Sequence, residues 1–178
     1  DLLPAAAREA DLVLMYAGAM GHVQRLDTAI RAAAAVGSAV HLVMVGTGVA
    51  GAELRSLTGE LRASNVHFLG HRPAELMGDL TSAADLHLVS LADTPLLRVT
   101  MPSKILSVMA SARPIVAMCA GDAARVVEAA QAGVSFVPGD VDGLADRLRS
   151  LLSMPEQLTA WGGAARSYYE TEFARSLA

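Results

Sequence analysis

The sequence predicts a doubly wound α/β domain, a Rossmann-like parallel sheet of about six strands with helices on both faces. Short apolar runs alternate with helix-patterned segments along most of the chain, the runs are continuously apolar as in strands buried on both faces, and glycine follows most of them. Because right-handed crossovers join parallel strands, the intervening helices are expected to lie on the sheet. The 178 residues, 53% of them hydrophobic, are enough for one domain with a large core.

The elements follow one another without a linker or an internal repeat. The predicted strands are Leu12–Ala17, Ala39–Val45, Val66–Leu69, Leu86–Leu91, Ile115–Met118 and Val134–Val137. The predicted helices are Val23–Val36, Ala52–Ala63, Pro73–Ala84, Pro102–Ala112, Asp122–Gln131, Val141–Leu152 and a terminal helix from Pro155 to Phe173 with a kink at Gly162–Gly163. Residues 1–178 are therefore predicted to form a single domain. Since the chain begins with Asp1 and not Met, we expect it to be a piece of a longer protein.

Composition excludes several classes of function. Fourteen Lys and Arg residues against eighteen Asp and Glu give a net charge of -4, so broad nucleic-acid binding is not expected. The single cysteine, Cys119, allows no internal disulfide, and no two histidines have the i,i+4 spacing of a helical zinc site. We therefore expect no metal centre and a cytoplasmic location. No apolar run approaches the ~20 residues of a transmembrane helix.

Ligands of open α/β sheets bind beyond the carboxyl ends of the strands. The function is therefore expected in five loops, residues 18–22, 46–51, 70–73, 92–102 and 119–122. One of them carries Gly46-x-Gly48-x-x-Gly51, which has the spacing of a dinucleotide-binding turn. That fingerprint normally lies in the first βα unit, and it needs an acidic residue after the next strand, where this chain has Gly70. A tight turn near a smaller ligand is the favoured interpretation.

The start of the fourth long helix is the strongest candidate for an anion site. Pro102 and Ser103 precede Lys104, the only lysine of the chain, and a helix N-terminus carries unpaired N–H groups and partial positive charge. The alternative is an ordinary surface lysine. No carboxylate occurs between Asp93 and Asp122, which excludes acid–base catalysis by a carboxylate of this helix.

The loop after the first strand places Gly18, Gly21 and Arg25 at the same edge of the sheet, where Arg25 is a candidate phosphate ligand. The alternative is that the two glycines serve turn geometry alone. Three histidines lie inside predicted strands and are expected to be satisfied core or strand-end groups. They are His41, His67 and His87. No hydrolase triad or nucleophile elbow is found.

Seven motifs occur in an order that resembles a known family. They are Tyr16-Ala-Gly-x-Met-Gly with Leu26-Asp27-Thr28-Ala29, Val45-Gly-Thr-Gly48, Asn65-Val-His-Phe-Leu-Gly70, Ala84-Asp85-Leu-His-Leu-Val89, Pro102-Ser-Lys104, Met109-Ala110-x-x-Arg113-Pro-Ile-Val116 and Gly133-Val-x-Phe-Val-Pro-Gly-Asp140. Together they resemble the C-terminal, donor-binding half of family 4 glycosyltransferases. The similarity is greatest to bacterial L-fucosamine transferase-like enzymes and covers nearly the whole chain.

The resemblance implies one half of a GT-B fold and a retaining sugar transferase of bacterial polysaccharide or glycolipid synthesis. Its partner would be a nucleotide-sugar donor, most simply a UDP-sugar, bound as substrate with no cofactor and no metal. The Gly18–Arg25 loop, including Gly21, and Lys104 would contact the diphosphate. Backbone around Phe68, Gly70, His71 and Arg72 would read the base, and the 92–107 segment, with Pro102, Ser103 and Ser107, would meet sugar and ribose. No catalytic residue is assigned.

The chain also departs from the family pattern. Two glutamates of the family align with Val99 and Ser107, and Ala19 replaces a frequent asparagine. A non-catalytic nucleotide-binding or scaffolding module is therefore the alternative function, whereas a sugar-nucleotide epimerase would need catalytic acids that the 94–121 segment lacks. By resemblance, an acceptor sugar or lipid-linked acceptor would be bound by an N-terminal half that this chain does not contain, and any peripheral membrane contact would lie there as well.

Overall fold

Six parallel strands form one sheet, and their bounds agree within one residue with those predicted from the apolar runs. The computed structural model describes residues 2–173. The strands are β1 (Leu12–Ala17), β2 (Val40–Val45), β3 (Val66–Gly70), β4 (Leu86–Ser90), β5 (Ile115–Met118) and β6 (Gly133–Phe136). Their spatial order is β3-β2-β1-β4-β5-β6, all parallel. The predicted doubly wound α/β fold is confirmed.

Helices connect the strands in the predicted order. They are α1 (Ala5–Arg8), α2 (Leu26–Val36), α3 (Gly51–Glu60), α4 (Met77–Ala83), α5 (Pro95–Arg98), α6 (Ser103–Ala110), α7 (Asp122–Ala129), α8 (Val141–Leu151) and α9 (Pro155–Tyr168), with 3₁₀ turns at His22–Gln24 and Ala74–Leu76 and a π-helical segment at Tyr169–Phe173. The short helices α1 and α5 were not predicted. The first turn of α5 has Pro95, and the hydroxyl oxygen of Thr94 accepts a hydrogen bond from the Leu97 amide.

The topology creates a crevice between β1 and β4. The chain moves outward from β1 to β3 and then returns to the opposite side of β1 to form β4, so the loops after β1 and β4 diverge at this point. One face of the sheet is covered by α2, α3 and α8 over a continuous core. The core of the other face is divided into one cluster beneath α6 and α7 and another beneath α1 and α4. The division leaves a gap between α4 and α6.

The terminal helix α9 runs without interruption through Gly162 and Gly163, where the sequence predicted a kink. A Cβ atom at Gly162 would lie 2.3 Å from the carbonyl oxygen of Ala112, so this glycine permits the helix to pack against the turn between α6 and β5. Trp161 is buried in the core beside it. Between residues 2 and 173, no helix has the length and apolar character needed to cross a bilayer.

Candidate functional site

The gap between α4 and α6 is a cavity of about 600 Å³ that opens at the carboxyl ends of β1 and β2. Its walls come from the loops after β1, β2 and β3, from one side of α4, and from one side of α6. The lining residues include Ala17, Gly18, Ala19, Val45, Gly46, Thr47, His71, Arg72, Ala74, Met77, Gly78, Thr81, His87, Leu88, Lys104, Ser107, Val108 and Ser111. The site therefore lies where the topology of the sheet places ligands.

Two glycines hold the loops after β1 and β2 in direct backbone contact at the cavity mouth. A Cβ atom at Gly46, where φ is +123°, would lie 2.1 Å from the Gly18 carbonyl oxygen, and one at Gly48 would lie 2.4 Å from the Met20 carbonyl oxygen. The Met20 amide donates to the Thr47 carbonyl oxygen at 2.9 Å. The glycine-rich pattern after β2 thus forms a tight turn between neighbouring loops, in agreement with the favoured interpretation.

Lys104 lies in the first turn of α6, and its ammonium group reaches the cavity mouth. The Nζ atom is 4.0 Å from the centroid of the Tyr16 ring, and a Cβ atom at Gly18 would be 2.9 Å from Nζ. Burial lowers the pKa of Lys104 to about 8. Among residues 2–173 no carboxylate forms an ion pair with it. The aromatic ring is therefore the stabilising partner of this cation in the absence of ligand.

Tyr16 fixes the platform beneath that ammonium group. Its side chain is fully buried at the end of β1, and its hydroxyl donates to the Ala19 carbonyl oxygen at 2.5 Å. Burial raises the pKa of Tyr16 to about 12, so the hydroxyl stays protonated at neutral pH. The ring face is consequently held toward Lys104, and the Gly18–Ala19 turn is tied to the same side chain.

The cavity is electropositive although the chain has a net charge of -4. Arg72 and Lys104 line it, His71 lies beside Arg72, and no Asp or Glu among residues 2–173 belongs to its lining. Between residues 2 and 173 no group of three His, Cys, Asp or Glu side chains is placed to hold a metal ion. The arrangement is suited to an anion, which it would hold with side-chain cations and with the N–H groups at the start of α6.

His87 lies at the floor of the cavity, in the second position of β4. Its side chain is only 3% exposed, and its Nε2 atom is 3.0 Å from the Thr81 carbonyl oxygen of α4. Burial, with a smaller contribution from the charge of Arg113, lowers the pKa of His87 to about 4. The imidazole is therefore neutral at physiological pH.

Five of the residues predicted from sequence line this cavity together. They are Gly18, His71, Arg72, Lys104 and Ser107. Lys104 and Ser107 are one turn apart on α6, whereas His71 and Arg72 follow β3 on the opposite side of the opening. The loops after β1, β2 and β3 and the first turns of α6 thus border one cavity, whereas residues 92–102 and 119–122, which were also predicted at the site, are not in its lining.

Six other predicted residues lie outside the cavity lining. They are Gly21, Arg25, Phe68, Gly70, Pro102 and Ser103. Arg25 adopts a left-handed conformation with φ of 44°, forms an ion pair with Asp27 at 3.2 Å, and borders a separate, smaller cavity together with Gly21. The ring of Phe68 packs instead beneath the guanidinium group of Arg55, 4.6 Å away. The structure therefore does not bring Arg25 and Lys104 to one anion.

The inner half of the cavity was not predicted. It is formed by Met77, Gly78 and Thr81 of α4, by His87, and by Ser111 after α6. These residues belong to, or directly follow, a strand and helices. They reach the cavity only because the core on the sheet face covered by α4 and α6 is divided into two clusters. The sequence signal was the histidine in an otherwise apolar strand, which was assigned to the core.

Solved structures of similar fold include glycosyltransferases. HepE of Anabaena, solved with UDP, aligns with a TM-score of 0.82 and 22% identity, over 96% of this chain and 49% of that chain. WaaG, a glycosyltransferase involved in lipopolysaccharide biosynthesis, aligns with a TM-score of 0.80 and 23% identity, over 98% of this chain and 49% of that one. This chain thus spans about half the length of either protein.

An isolated domain gives the complementary comparison. The C-terminal domain of the group 1 glycosyl transferase LpcC from Francisella tularensis aligns with a TM-score of 0.77 and 16% identity, over 92% of this chain and 87% of that domain. No curated protein matches in a sequence comparison. The family described as "Glycosyl transferases group 1" matches residues 11–154, which is most of the chain. The chain therefore belongs to the group 1 glycosyltransferases and forms a GT-B-type domain of that family.

Proposed function

We propose that the cavity binds the nucleotide diphosphate of a sugar donor, most simply a UDP-sugar. The observation that carries the proposal is Lys104, a largely buried cation without a carboxylate partner among residues 2–173, at the N-terminal turn of α6 and against the Gly18 backbone. A diphosphate between these groups would receive both the ammonium charge and the α6 N–H groups. Arg72 adds positive potential at the opposite wall.

Ligands of the similar structures support the choice of donor. HepE was solved with UDP, with UDP-glucose, and with UDP and glucose, and TarM of S. aureus was solved with UDP among its ligands. The family match supports sugar transfer as the reaction. The motif order further supports family 4 and a relationship to bacterial L-fucosamine transferase-like enzymes, which implies retention of the anomeric configuration and a role in polysaccharide or glycolipid synthesis.

In such a transfer, negative charge develops on the departing diphosphate as its bond to the sugar breaks. Lys104 and the start of α6 are placed to stabilise that charge electrostatically, and they need no reorganisation because the loops around them are already in contact. No side-chain carboxylate of residues 2–173 lines the cavity, so the cavity itself would contribute binding and charge stabilisation. Acceptor binding belongs, in this proposal, to a second domain.

Exposed aliphatic side chains at the carboxyl-terminal edge of the sheet support a second domain on that side. Val49, Leu96, Val99 and Val137 are 82%, 74%, 68% and 72% exposed, and they lie in the segments that follow β2, β4 and β6, with Leu96 in the short helix α5. Apolar side chains gathered at one edge favour contact with another surface. The chain spans about half the length of HepE and of the glycosyltransferase WaaG, which leaves room for an acceptor-binding half.

Calorimetric titration with UDP tests the proposal. The chain is expected to bind UDP, and Lys104→Met is expected to weaken binding by about tenfold or more, because a charge-assisted contact contributes roughly 1.5–3 kcal/mol. Arg25→Ala is the matched control: it also removes one positive charge, but Arg25 is paired with Asp27 and borders a separate cavity. A change below about threefold is expected for it. Loss of UDP binding in Arg25→Ala but not in Lys104→Met would contradict the proposed site.

A non-catalytic nucleotide-binding module is the second candidate. It is favoured by the absence of any carboxylate from the cavity lining, where Ser107 stands in place of a glutamate of the resembled family. The two functions differ in turnover of the full-length protein. Release of UDP from a UDP-sugar in the presence of acceptor would support the transferase, whereas tight UDP binding without release from any donor would support the module.

A further inference from the structure

The inner half of the cavity contains a hydrogen-bond acceptor that no residue between 2 and 173 uses. The Nε2 atom of His87 is 3.0 Å from the Thr81 carbonyl oxygen. A carbonyl oxygen only accepts hydrogen bonds, so Nε2 carries the proton of the neutral ring. The Nδ1 atom is therefore left with a lone pair, and it has no partner among residues 2–173.

The free lone pair of His87 faces the cavity. Among residues 2–173, the only fully enclosed and unpaired side-chain polar atom is the Nε atom of Arg147. The Nδ1 atom of His87 is thus in contact with open space, although the residue as a whole is only 3% exposed. The cavity is the open space that His87 lines. An unpaired acceptor held in an otherwise buried position favours a ligand that donates to it.

Two lengths along the walls of the cavity indicate how far this acceptor lies from the anion site. Lys104 at the mouth is in the first turn of α6, and Ser111 near the floor directly follows the helix, seven residues further on, which corresponds to roughly 10 Å at the rise of a helix. His87 lies three residues before the last residue of β4, again about 10 Å from that end of the strand. A ribose and a pyrimidine ring, placed end to end, span such a distance.

We propose that His87 is a specificity-determining residue that accepts a hydrogen bond from the N3–H group of a uracil base. The inference rests on the proposed function and names the base of that same ligand. Uracil carries a hydrogen on N3, whereas N3 of cytosine carries a lone pair, which would face the lone pair of Nδ1. Met77 and Val108 supply apolar walls on either side of the ring.

The Thr81 contact is what makes this discrimination possible. A free imidazole can exchange its tautomer and donate from Nδ1 to cytosine. In His87 that exchange would remove the donor from the Thr81 carbonyl oxygen and leave two acceptors 3.0 Å apart. Charging the ring would serve both partners, but its burial opposes the charged form. The residue is therefore held as an acceptor toward the cavity.

Titration of the chain with UDP, CDP and N3-methyl-UDP tests the inference. The wild-type chain is expected to bind UDP about tenfold more tightly than either of the other two, because each of them leaves Nδ1 without a donor. His87→Phe keeps an aromatic ring of similar shape and removes the acceptor. We expect its affinities for UDP and CDP to agree within about threefold. His67→Phe, which replaces a strand histidine outside the cavity lining, should retain the wild-type ratio.

The outcomes separate the inference from the proposed function. If UDP binding depends on Lys104 but the wild-type chain binds N3-methyl-UDP as tightly as UDP, the role of His87 is refuted and the proposed function stands. The same conclusion follows if His87→Phe retains the preference for UDP over CDP. If no nucleoside diphosphate binds the wild-type chain, both are refuted. The methylated ligand needs no variant, so the inference can be tested even if His87→Phe does not fold.

Discussion

At the scale of single residues, the charged form of Lys104 is destabilised by burial and stabilised by the Tyr16 ring in the free protein. Its ammonium group is largely removed from water, which disfavours the charged form, and its nearest compensation is the face of the Tyr16 ring. A lysine in such surroundings loses its proton more readily than a surface lysine. An anion bound beside it would restore the preference for the charged form.

This balance predicts a pH dependence of UDP binding. The pKa of Lys104 in the free chain is about 8, so the cation is present below pH 8 and is lost above it, and the affinity should fall as the pH rises through 8. If only the charged form binds, affinity decreases by about tenfold between pH 7 and pH 9. Titration calorimetry at both values measures the change.

Lys104→Met provides the comparison for that experiment. This variant has no titratable group at the position, so its weaker affinity for UDP should stay nearly constant between pH 7 and pH 9. An equally steep decrease in the variant would show that another group controls the dependence. At pH 8 the wild-type chain should also take up protons on binding UDP, which calorimetry in buffers of different ionisation enthalpy detects.

At the scale of elements, adjacent glycines of α9 have opposite roles. Gly162 faces the Ala112 carbonyl oxygen, which a Cβ atom would approach to 2.3 Å, whereas nothing lies within 4 Å of a Cβ atom at Gly163. Both lie in the helix interior, where glycine is less favourable than alanine. Substitutions at Gly163 therefore report the effect of helix propensity on stability, whereas substitutions at Gly162 also report the effect of helix packing.

Alanine at each position should change stability in opposite directions. Gly162→Ala is expected to destabilise the chain by about 1–3 kcal/mol because α9 must move away from the turn before β5. Gly163→Ala is expected to stabilise it by about 0.5–1 kcal/mol. Urea unfolding of the two variants measures both effects. Equal effects would contradict the packing of α9 described above.

At the scale of the whole molecule, a ligand in the cavity joins the loops after three strands with β4, α4 and α6. Binding to the folded chain alone should raise its free energy of unfolding. At a UDP concentration 100 times the dissociation constant, the increase is about 2.7 kcal/mol, which raises the melting temperature of a chain of this size by roughly 5–10 °C. Thermal unfolding with and without UDP measures the shift.

The same experiment has an internal check. With an affinity about tenfold weaker, Lys104→Met should show about half the gain in free energy at that UDP concentration. An undiminished shift in this variant would indicate that UDP binds elsewhere on the molecule. Adenosine, which lacks a phosphate, should produce little shift in either protein.

The sequence predicted the sheet far better than it predicted the site. Continuous apolar runs determine the strands locally, so their bounds were correct within one residue. Arg25 was predicted at the site because it follows β1, but its left-handed backbone and its ion pair with Asp27 direct it to a neighbouring cavity. His87 was assigned to the core from its place in an apolar strand. The gap above it depends on how α4 and α6 pack, which a local sequence pattern does not predict.

The backbone contacts of Gly46 and Gly48 restrict how the cavity can be redesigned. A side chain at either position would collide with the carbonyl oxygen of Gly18 or Met20, so a library aimed at a new donor should keep both glycines. Ser107 and Arg72 line the same opening with exposed side chains and are the positions to randomise. Engineering of this domain is thus most promising on α6 and after β3, and least promising in its most glycine-rich loop.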